Sequence, residues 1–309
     1  MTGALLRIKN SFIPWSFPEL VAAREGYFKS EGLDVKFYTL DPSIVEPEDK
    51  VEWYGELTDQ GQVDAYSCCA WAALDRLSDG GNNKIVGATS SLNYAFSIFV
   101  RPESKVRKVE DLANVDILVN AKTGSHYCNL RQLEERIPFE QIKLKHGGAP
   151  QKRLLSLMRG DAEAAALISP YTEVAEELGF RKVFETDMVD VLAYIAKTKL
   201  SEAQVAMFLK AIGRAVEAVQ ADPQKFKPFY MEILRETFVG YPAAEMARVD
   251  RATKAAESRI RPVEWGALKP YSEDTFSTIK GWMTSHSLLE SGITYGQLVN
   301  NRPIERLLS

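Results

Sequence analysis

Apolar and polar residues alternate along the first two thirds of the chain in a pattern that predicts strands separated by helices. Between the strands, longer stretches carry apolar residues three and four positions apart, which is typical of helices. This alternation favours an α/β fold with mostly parallel sheets. The apolar runs that predict strands lie at residues 5–9, 35–38, 65–67, 84–89, 95–100, 117–119, 142–145, 164–167, 182–184 and 191–196.

The last third of the chain has a helical pattern instead. Residues 201–221 contain the run FLKAIGRAVEAVQA, whose apolar residues recur at helical spacing, and Asp222 with Pro223 is expected to end this helix. We therefore expect a helical C-terminal region after the alternating strands and helices. Its further predicted helices lie at 242–258, 272–285 and 295–300.

Two motifs indicate how the first part of the chain is organised. Residues 26–40 read GYFKSEGLDVKFYTL and follow a loop at 11–15 and a predicted helix at 18–24. Farther along, GQVDA at 61–65 and GDAEA at 160–164 share the pattern G-x-x-[DE]-A, and each leads into a short strand and a helix. Because the second motif occurs twice, it indicates two lobes of similar build.

These residues resemble the opening of type II periplasmic binding proteins, in particular the nitrate, sulfonate and taurine receptors and the thiamin pyrimidine synthases. The resemblance covers about residues 5–225. It implies a two-lobed α/β fold with an interlobe cleft and a helical C-terminal region. It also implies a discontinuous lobe one at 1–93 plus 193–309, a lobe two at 94–192, and a hinge near 93–96 and 190–193 that closes on ligand.

Composition and charge indicate which classes of binding partner and which cellular location suit this protein. The chain has 309 residues, a net charge of −4 and three cysteines. An acidic protein is a poor match for nucleic acid, and no apolar run approaches the roughly 18 residues that span a bilayer, so we expect neither a nucleic-acid partner nor membrane insertion. Reduced cysteines and an N-terminus without a signal peptide favour the cytoplasm, or an extracytoplasmic location if a signal peptide has been removed. The oligomeric state stays open.

The sequence predicts neither a cofactor nor a metal site. It contains no glycine-rich nucleotide loop and no G-x-S-x-G elbow. The cysteines also lack the C-x-x-C or paired-histidine spacing of zinc ligands. Any chemistry would therefore use side chains of the protein alone.

Four segments are expected to meet in the cleft, because each follows a predicted strand, and open α/β sheets bind ligands at strand carboxyl ends. They lie at residues 11–15, 67–71, 123–127 and 169–172. The candidate catalytic residues are Cys68, His126 and Tyr171, and the candidate ligand-binding residues are Trp15, Ser67, Cys69, Thr123, Gly124, Ser125, Tyr127 and Ser169.

The turn at 123–127 is the strongest of these segments, because free N–H groups and the dipole at a helix start hold anions. We therefore expect a small anionic ligand there, although Thr123 or Ser125 could simply cap the helix. His126 would pair with an anion or act as acid or base near neutral pH, or be a surface residue. Cys68 is either a nucleophile activated by a helix start or a small buried apolar residue.

Three features of the sequence leave alternatives open. Trp15 could stack on a planar ligand or fill the core. The acidic insert at 41–53 could cover the cleft as a lid or lie on the surface. The chain also departs from both enzymes of the fold that it resembles: it lacks the cysteine-rich run and the substrate-donating histidine of the pyrimidine synthases, and it lacks the cysteine that desulfinases carry in the loop at 11–15.

Two functions remain, and the sequence favours the first by a small margin. The first is a cytosolic enzyme, a lyase or hydrolase of decarboxylase or desulfinase type, that cleaves a small, planar anion with Cys68 and His126. The alternative is a non-catalytic receptor of an ABC-type uptake system for a sulfonate, nitrate or pyrimidine-like ligand.

Overall fold

The computed structural model describes residues 3–9, 15–38, 61–78, 80–92, 95–187 and 192–309. They form two α/β lobes, each built on a five-stranded sheet. The loop at 11–14, the acidic insert at 41–53 and parts of the predicted hinge lie outside the described residues.

The first sheet has the strand order β2-β1-β3-β10-β4. β1 pairs in parallel with β2 and β3, whereas β10 is antiparallel to both of its neighbours, β3 and β4. The carboxyl ends of β1 and β3 therefore lie at one edge. The strands are β1 (Ala4–Lys9), β2 (Leu33–Tyr38), β3 (Ala65–Cys69), β4 (Asn83–Thr89) and β10 (Leu192–Lys197).

The second sheet has the order β7-β6-β8-β5-β9, and its antiparallel strand is β5. The two orders correspond strand for strand. The repeated G-x-x-[DE]-A motif leads into β3 in one sheet and β8 in the other, which occupy equivalent positions. The strands are β5 (Phe96–Val100), β6 (Asp116–Val119), β7 (Lys143–His146), β8 (Ala164–Ile168) and β9 (Arg181–Glu185).

Twelve helices lie in the described part of the chain, and the six that follow β10 include the longest, at Glu202–Ala221. The first seven are α1 (Phe17–Arg24), α2 (Tyr27–Ser30), α3 (Ala70–Ser78), α4 (Gly124–Leu133), α5 (Pro150–Arg159), α6 (Tyr171–Glu177) and α7 (Glu202–Ala221). The remaining five are α8 (Pro223–Glu236), α9 (Ala243–Ala256), α10 (Glu273–Ser285), α11 (Tyr295–Leu298) and α12 (Arg302–Leu308). None of the helices in the described segments is both long and apolar enough to cross a membrane.

The ten predicted strands are all present, and their ends differ from the prediction by at most two residues. The helix expected at the turn 123–127 begins within that turn, at Gly124, directly after an extended Thr123. Asp222 ends α7 as expected, but it also caps a helix that was not predicted: its side chain accepts a hydrogen bond from Lys225 N–H at 3.1 Å, and Pro223 occupies the first turn of α8.

The C-terminal helices contact both lobes. α7 packs on α1 and α2 in lobe one, whereas α9 packs on α6 in lobe two, where Arg259 pairs with Glu176 at 2.5 Å and Glu177 at 2.6 Å. The segment between α9 and α10 pairs with the chain that leaves β4, since Gly266 N–H donates to the Ser90 carbonyl at 2.8 Å. The helical region therefore braces the connection between the lobes.

Candidate functional site

The candidate site lies where α3 of lobe one meets the start of α4 in lobe two. Gly124, the first residue of α4, packs against the end of β3. A Cβ atom at this position would lie 3.0 Å from the Cys69 sulfur and 3.3 Å from the Phe96 ring. The two lobes therefore touch at this point, and a side chain at residue 124 would require its neighbours to move by a few tenths of an ångström.

The start of α4 presents two unsatisfied donors. The N–H groups of His126 and Tyr127 both donate to the Thr123 carbonyl, at 2.9 and 3.0 Å. Within the described residues, the backbone N–H groups of Gly124 and Ser125 have no acceptor, although both residues are buried. Buried backbone donors without a partner are rare in proteins, so this pair fits an external acceptor such as an oxyanion.

The hydroxyl groups of the same turn are engaged with its backbone. Thr123 Oγ1 donates to the Asn120 carbonyl at 2.7 Å, and Ser125 Oγ accepts from Asn120 N–H at 2.9 Å. Neither hydroxyl caps α4 in the usual way, since the Thr123 side chain accepts no helix N–H. These two side chains shape the turn.

His126 is mostly buried beside this turn. Its Nδ1 accepts the Lys122 backbone N–H at 3.1 Å, and its ring stacks on that of Tyr127 with a centroid distance of 4.9 Å. Burial, aided by the Lys122 charge, lowers the pKa of His126 to about 4. The imidazole is therefore neutral at physiological pH, and neither its hydrogen bond nor its stacking involves Cys68.

Tyr127 links the lobes. Its hydroxyl donates to Asp75 Oδ2 of α3 at 2.7 Å, and its ring stacks on Trp71 with a centroid distance of 6.2 Å. Burial and the neighbouring Asp75 charge raise the pKa of Tyr127, so the phenol stays protonated. Tyr127 is thus a cross-lobe contact of the site.

Cys68 lies on the opposite side of β3 from Ser67 and is close to two buried cations. Burial raises the pKa of the Cys68 thiol to about 12, although the charges of Arg76 and Lys9 oppose this rise. The thiol is therefore protonated at neutral pH, which favours the interpretation of Cys68 as a small buried residue. The thiol that touches Gly124 is that of Cys69, which also accepts the Ala72 N–H at 3.4 Å.

Trp15 and Ser67 occupy different environments. Trp15 is half-buried against Phe96 at the start of β5, with a centroid distance of 6.3 Å. Ser67 is buried beneath α1, near the Glu19 carboxyl group. Trp15 therefore packs against the first strand of the second sheet, whereas Ser67 faces the interior of lobe one.

Ser169 and Tyr171 lie at the start of α6. Ser169 Oγ donates to Glu173 Oε1 at 2.8 Å. Tyr171 is fully buried and packs edge-on against Phe238, which follows α8, at a centroid distance of 5.9 Å. Burial raises the pKa of Tyr171. The Tyr171 ring therefore packs against the C-terminal helical region.

Several buried charged residues were not among the sequence candidates, including Glu19, Asp75 and Arg76. Asp75 and Arg76 interrupt the apolar helix α3, and Glu19 lies three residues before buried Ala22, on the inner face of α1. In each case a charged residue occupies a position that the helical period assigns to the core. A charged residue at a core position is the sequence feature that could have identified these three residues. No cluster of three or more metal-ligating side chains occurs in the described stretches.

Comparison with protein families gives one match over most of the chain. Residues 14–226 match the model of the family described as NMT1/THI5 like. No curated protein sequence matches this chain significantly.

Solved structures share the fold at low sequence identity. The alkanesulfonate-binding protein SsuA from Xanthomonas axonopodis pv. citri, bound to MOPS, is 15% identical with a TM-score of 0.72, over 97% of this chain and 99% of that one. The periplasmic aliphatic sulphonate binding protein SsuA from Escherichia coli is 16% identical with a TM-score of 0.67, over 96% and 97%. A Candida albicans gene product with the generic periplasmic binding protein fold is 13% identical with a TM-score of 0.62, over 100% and 95%.

Proposed function

This chain belongs to the NMT1/THI5-like family, and we propose from that premise that it is a binding protein for a small organic anion, with sulfonates as the first class to test. The observation that carries the proposal is the pair of N–H groups of Gly124 and Ser125 at the start of α4, two buried residues whose amides have no acceptor among the residues that the structure describes. Such a pair can donate two hydrogen bonds to one oxyanion and add the favourable end of the helix dipole.

The charges around the cleft support an anionic ligand. Lys9 and Arg76 are both buried and lie close enough to Cys68 to act on its pKa. Arg76 also acts on Tyr127, in the first turn of α4. Arg76, the cation that acts on both Cys68 and Tyr127, would favour a negative charge near the helix start. The structural relatives named for sulfonates add support for this ligand class.

The findings support the receptor better than the enzyme that the sequence favoured. The Cys68 thiol is protonated at neutral pH, and His126 is neutral and engaged with the backbone at Nδ1. A protonated thiol without a bonded base is a weak nucleophile. The receptor would work outside the cytoplasm and deliver its ligand to an uptake system.

Calorimetric titration tests the proposal with ethanesulfonate and MOPS, and with acetate and the uncharged methanesulfonamide for comparison. The expected result is binding of the sulfonates and none of the sulfonamide. Ser125→Asp places a negative charge beside the two N–H groups and is expected to weaken sulfonate binding at least tenfold, about 1.4 kcal/mol.

Ser272→Asp is the matched control, because it adds the same charge at the exposed start of α10, away from the cleft. Equal binding by the wild type and the Ser125→Asp variant would place the site elsewhere. The bound sulfonate is expected to be recovered unchanged, and Cys68-dependent product formation would restore the enzyme interpretation.

A further inference from the structure

The turn at residues 120–123, which joins β6 to α4, is held by side-chain acceptors at three consecutive amides. Asn120 N–H donates to Ser125 Oγ at 2.9 Å. Ala121 N–H donates to His146 Nδ1 at 3.3 Å, and Lys122 N–H donates to His126 Nδ1 at 3.1 Å. Lys122 has a left-handed backbone with φ of 54°, which is unfavourable for lysine, so the turn needs external support.

Both histidines must use an unprotonated Nδ1. A backbone N–H can only donate, so the ring nitrogen that it meets has to be the acceptor, and the proton of a neutral ring then resides on Nε2. For His126, burial keeps the ring neutral, because it lowers the pKa to about 4. His126 belongs to α4 and His146 is the last residue of β7. The two rings therefore accept hydrogen bonds from the turn on behalf of two different elements.

The held turn leads directly into the N–H groups of Gly124 and Ser125, which have no acceptor in the described segments of the chain. Only Thr123 separates Lys122 from Gly124 along the chain, so a change of the Lys122 backbone would redirect the N–H groups of Gly124 and Ser125. Preorganised donors bind an anion more tightly than donors that must first be ordered.

We propose that His126 and His146 are positioning residues whose Nδ1 atoms hold the turn at 120–123, so that the N–H groups of Gly124 and Ser125 point at the bound anion. This role rests on the proposed function for its ligand. In this role His126 acts as a fixed hydrogen-bond acceptor and not as the acid or base that the sequence suggested.

The central test compares His126→Asn with His126→Leu. Asparagine carries an acceptor oxygen near the position of Nδ1, whereas leucine fills similar space without one. We expect His126→Leu to weaken ethanesulfonate binding at least tenfold and His126→Asn to stay within about threefold of wild type, a difference of roughly 0.7 kcal/mol. Loss of affinity in both variants to the same extent would overturn the role.

Hydrogen exchange in the ligand-free protein separates this role from the proposed function. The Lys122 amide is expected to exchange at least tenfold faster in His126→Leu than in wild type or His126→Asn. If no anion binds but this pattern holds, the proposed function fails and the turn-holding role stands. Unchanged Lys122 exchange in His126→Leu overturns the role even if sulfonate binds to the wild type.

A measurement on the wild type covers the case in which His126→Leu does not fold. Long-range ¹H–¹⁵N spectra distinguish protonated from unprotonated ring nitrogens. We expect Nδ1 unprotonated and Nε2 protonated for both His126 and His146 at neutral pH, and a protonated Nδ1 on His126 overturns the proposal.

Discussion

Glu19 is the buried residue with the clearest energetic consequence. It lies inside lobe one near Ser67 and Tyr194, and neither of its carboxyl oxygens has a hydrogen-bond partner within the described residues. The Ser67 hydroxyl is near enough to lower the Glu19 pKa slightly, but burial dominates and raises it to about 7. Burying an unpaired carboxylate is costly, so the neutral acid is the favoured form in the folded state.

Glu19 therefore makes stability depend on pH. Between pH 4.5 and 7 the folded protein keeps a proton that the unfolded chain has released, so the free energy of unfolding falls as pH rises through this window, by about 3 kcal/mol. Glu19→Gln is expected to remove this fall, as measured by urea unfolding at pH 5 and 7.5. The exposed control Glu290→Gln should keep it. An unchanged slope in Glu19→Gln would assign the pH dependence to other groups.

Cys68 is expected to be unreactive in the folded protein. Burial raises its pKa to about 12, so very little thiolate exists near pH 7 and the sulfur is shielded. Iodoacetamide should label Cys68 only after unfolding, as followed by peptide mass spectrometry with urea-treated protein as the control. Cys68→Ser should retain ligand binding while losing about 1–2 kcal/mol of stability through the buried hydroxyl. Rapid labelling of the native protein would support the interpretation of Cys68 as a nucleophile.

The sequence located the candidate residues better than it assigned their environments. It placed Cys68 and Cys69 at a strand–helix junction, which is where they lie. It could not show that Cys69 touches Gly124 while Cys68 faces Arg76, because these neighbours come from other elements. Nor could it show that the Glu19 carboxyl group is buried, since that depends on how α1 lies against β3 and β10.

At the level of elements, the local pattern of apolar residues predicted the limits of strands better than the first residues of helices. Strand runs such as 164–168 are apolar throughout and flanked by turn residues, so their limits follow from the sequence. The start of α4 depends instead on Thr123 being extended and on the support of the preceding turn by His146, a contact between different elements. Pro223 was interpreted as a stop although it also suits the first turn of a new helix.

A side chain at Gly124 is expected to destabilise the contact between the lobes. The added Cβ of Gly124→Ala would meet Cys69 and Phe96 at 3.0–3.3 Å, so the lobes would have to separate or strain, at a cost of about 1–3 kcal/mol. Gly281→Ala in α10 is the matched control: its Cβ meets nothing within 4 Å, so helix propensity should raise stability by up to about 1 kcal/mol. Thermal unfolding should show shifts of opposite sign. A neutral Gly124→Ala would mean that the interlobe contact is loose.

The C-terminal end of α4 is bound to α10 by Glu134. Its Oε1 accepts from Trp282 Nε1 at 2.7 Å and its Oε2 contacts His286 Nε2 at 2.8 Å. Trp282 in turn packs edge-on against Trp71 of α3, with a centroid distance of 5.4 Å. Both ends of α4 are thus connected to helices that pack on lobe one. The contacts of Glu134 with Trp282 and His286 join the lobes at the second of these ends.

Glu134→Ala is expected to favour separation of the lobes, because it removes two hydrogen bonds and leaves the Trp282 N–H without its acceptor, a loss of about 1–3 kcal/mol. Small-angle scattering of the ligand-free variant should give a larger radius of gyration, and sulfonate affinity should fall. Glu135→Ala removes the exposed neighbouring carboxylate and serves as the control. If the two variants have the same radius of gyration and the same sulfonate affinity, the contacts of Glu134 do not contribute to closure.

For the whole molecule, the two sheets and their connections define how closure can occur. The chain passes from β4 to β5 and returns from β9 to β10, so the lobes are joined by two connections near the predicted hinge. The first is braced by the segment between α9 and α10, through Gly266 and the pairing of Leu92 N–H with the Glu264 carbonyl at 2.9 Å. This brace favours a rotation of the lobes as rigid bodies.

Ethanesulfonate is expected to reduce the radius of gyration of the wild type, because a ligand bound by both lobes stabilises the closed arrangement. The Ser125→Asp variant should show no such change at the same ligand concentration. An identical scattering profile with and without saturating ligand would contradict closure at this hinge. Closure would support the predicted division into lobe one at 1–93 plus 193–309 and lobe two at 94–192.

The position of β10 also bears on how the protein is made. This strand separates β3 from β4, so the first sheet is in two parts until residues 192–197 are in place. All strands of the second sheet lie between residues 96 and 185, and they leave the ribosome earlier. The nascent chain can therefore assemble the second sheet while the first still lacks its joining strand, and the order of synthesis completes the inserted lobe before the one that surrounds it in sequence.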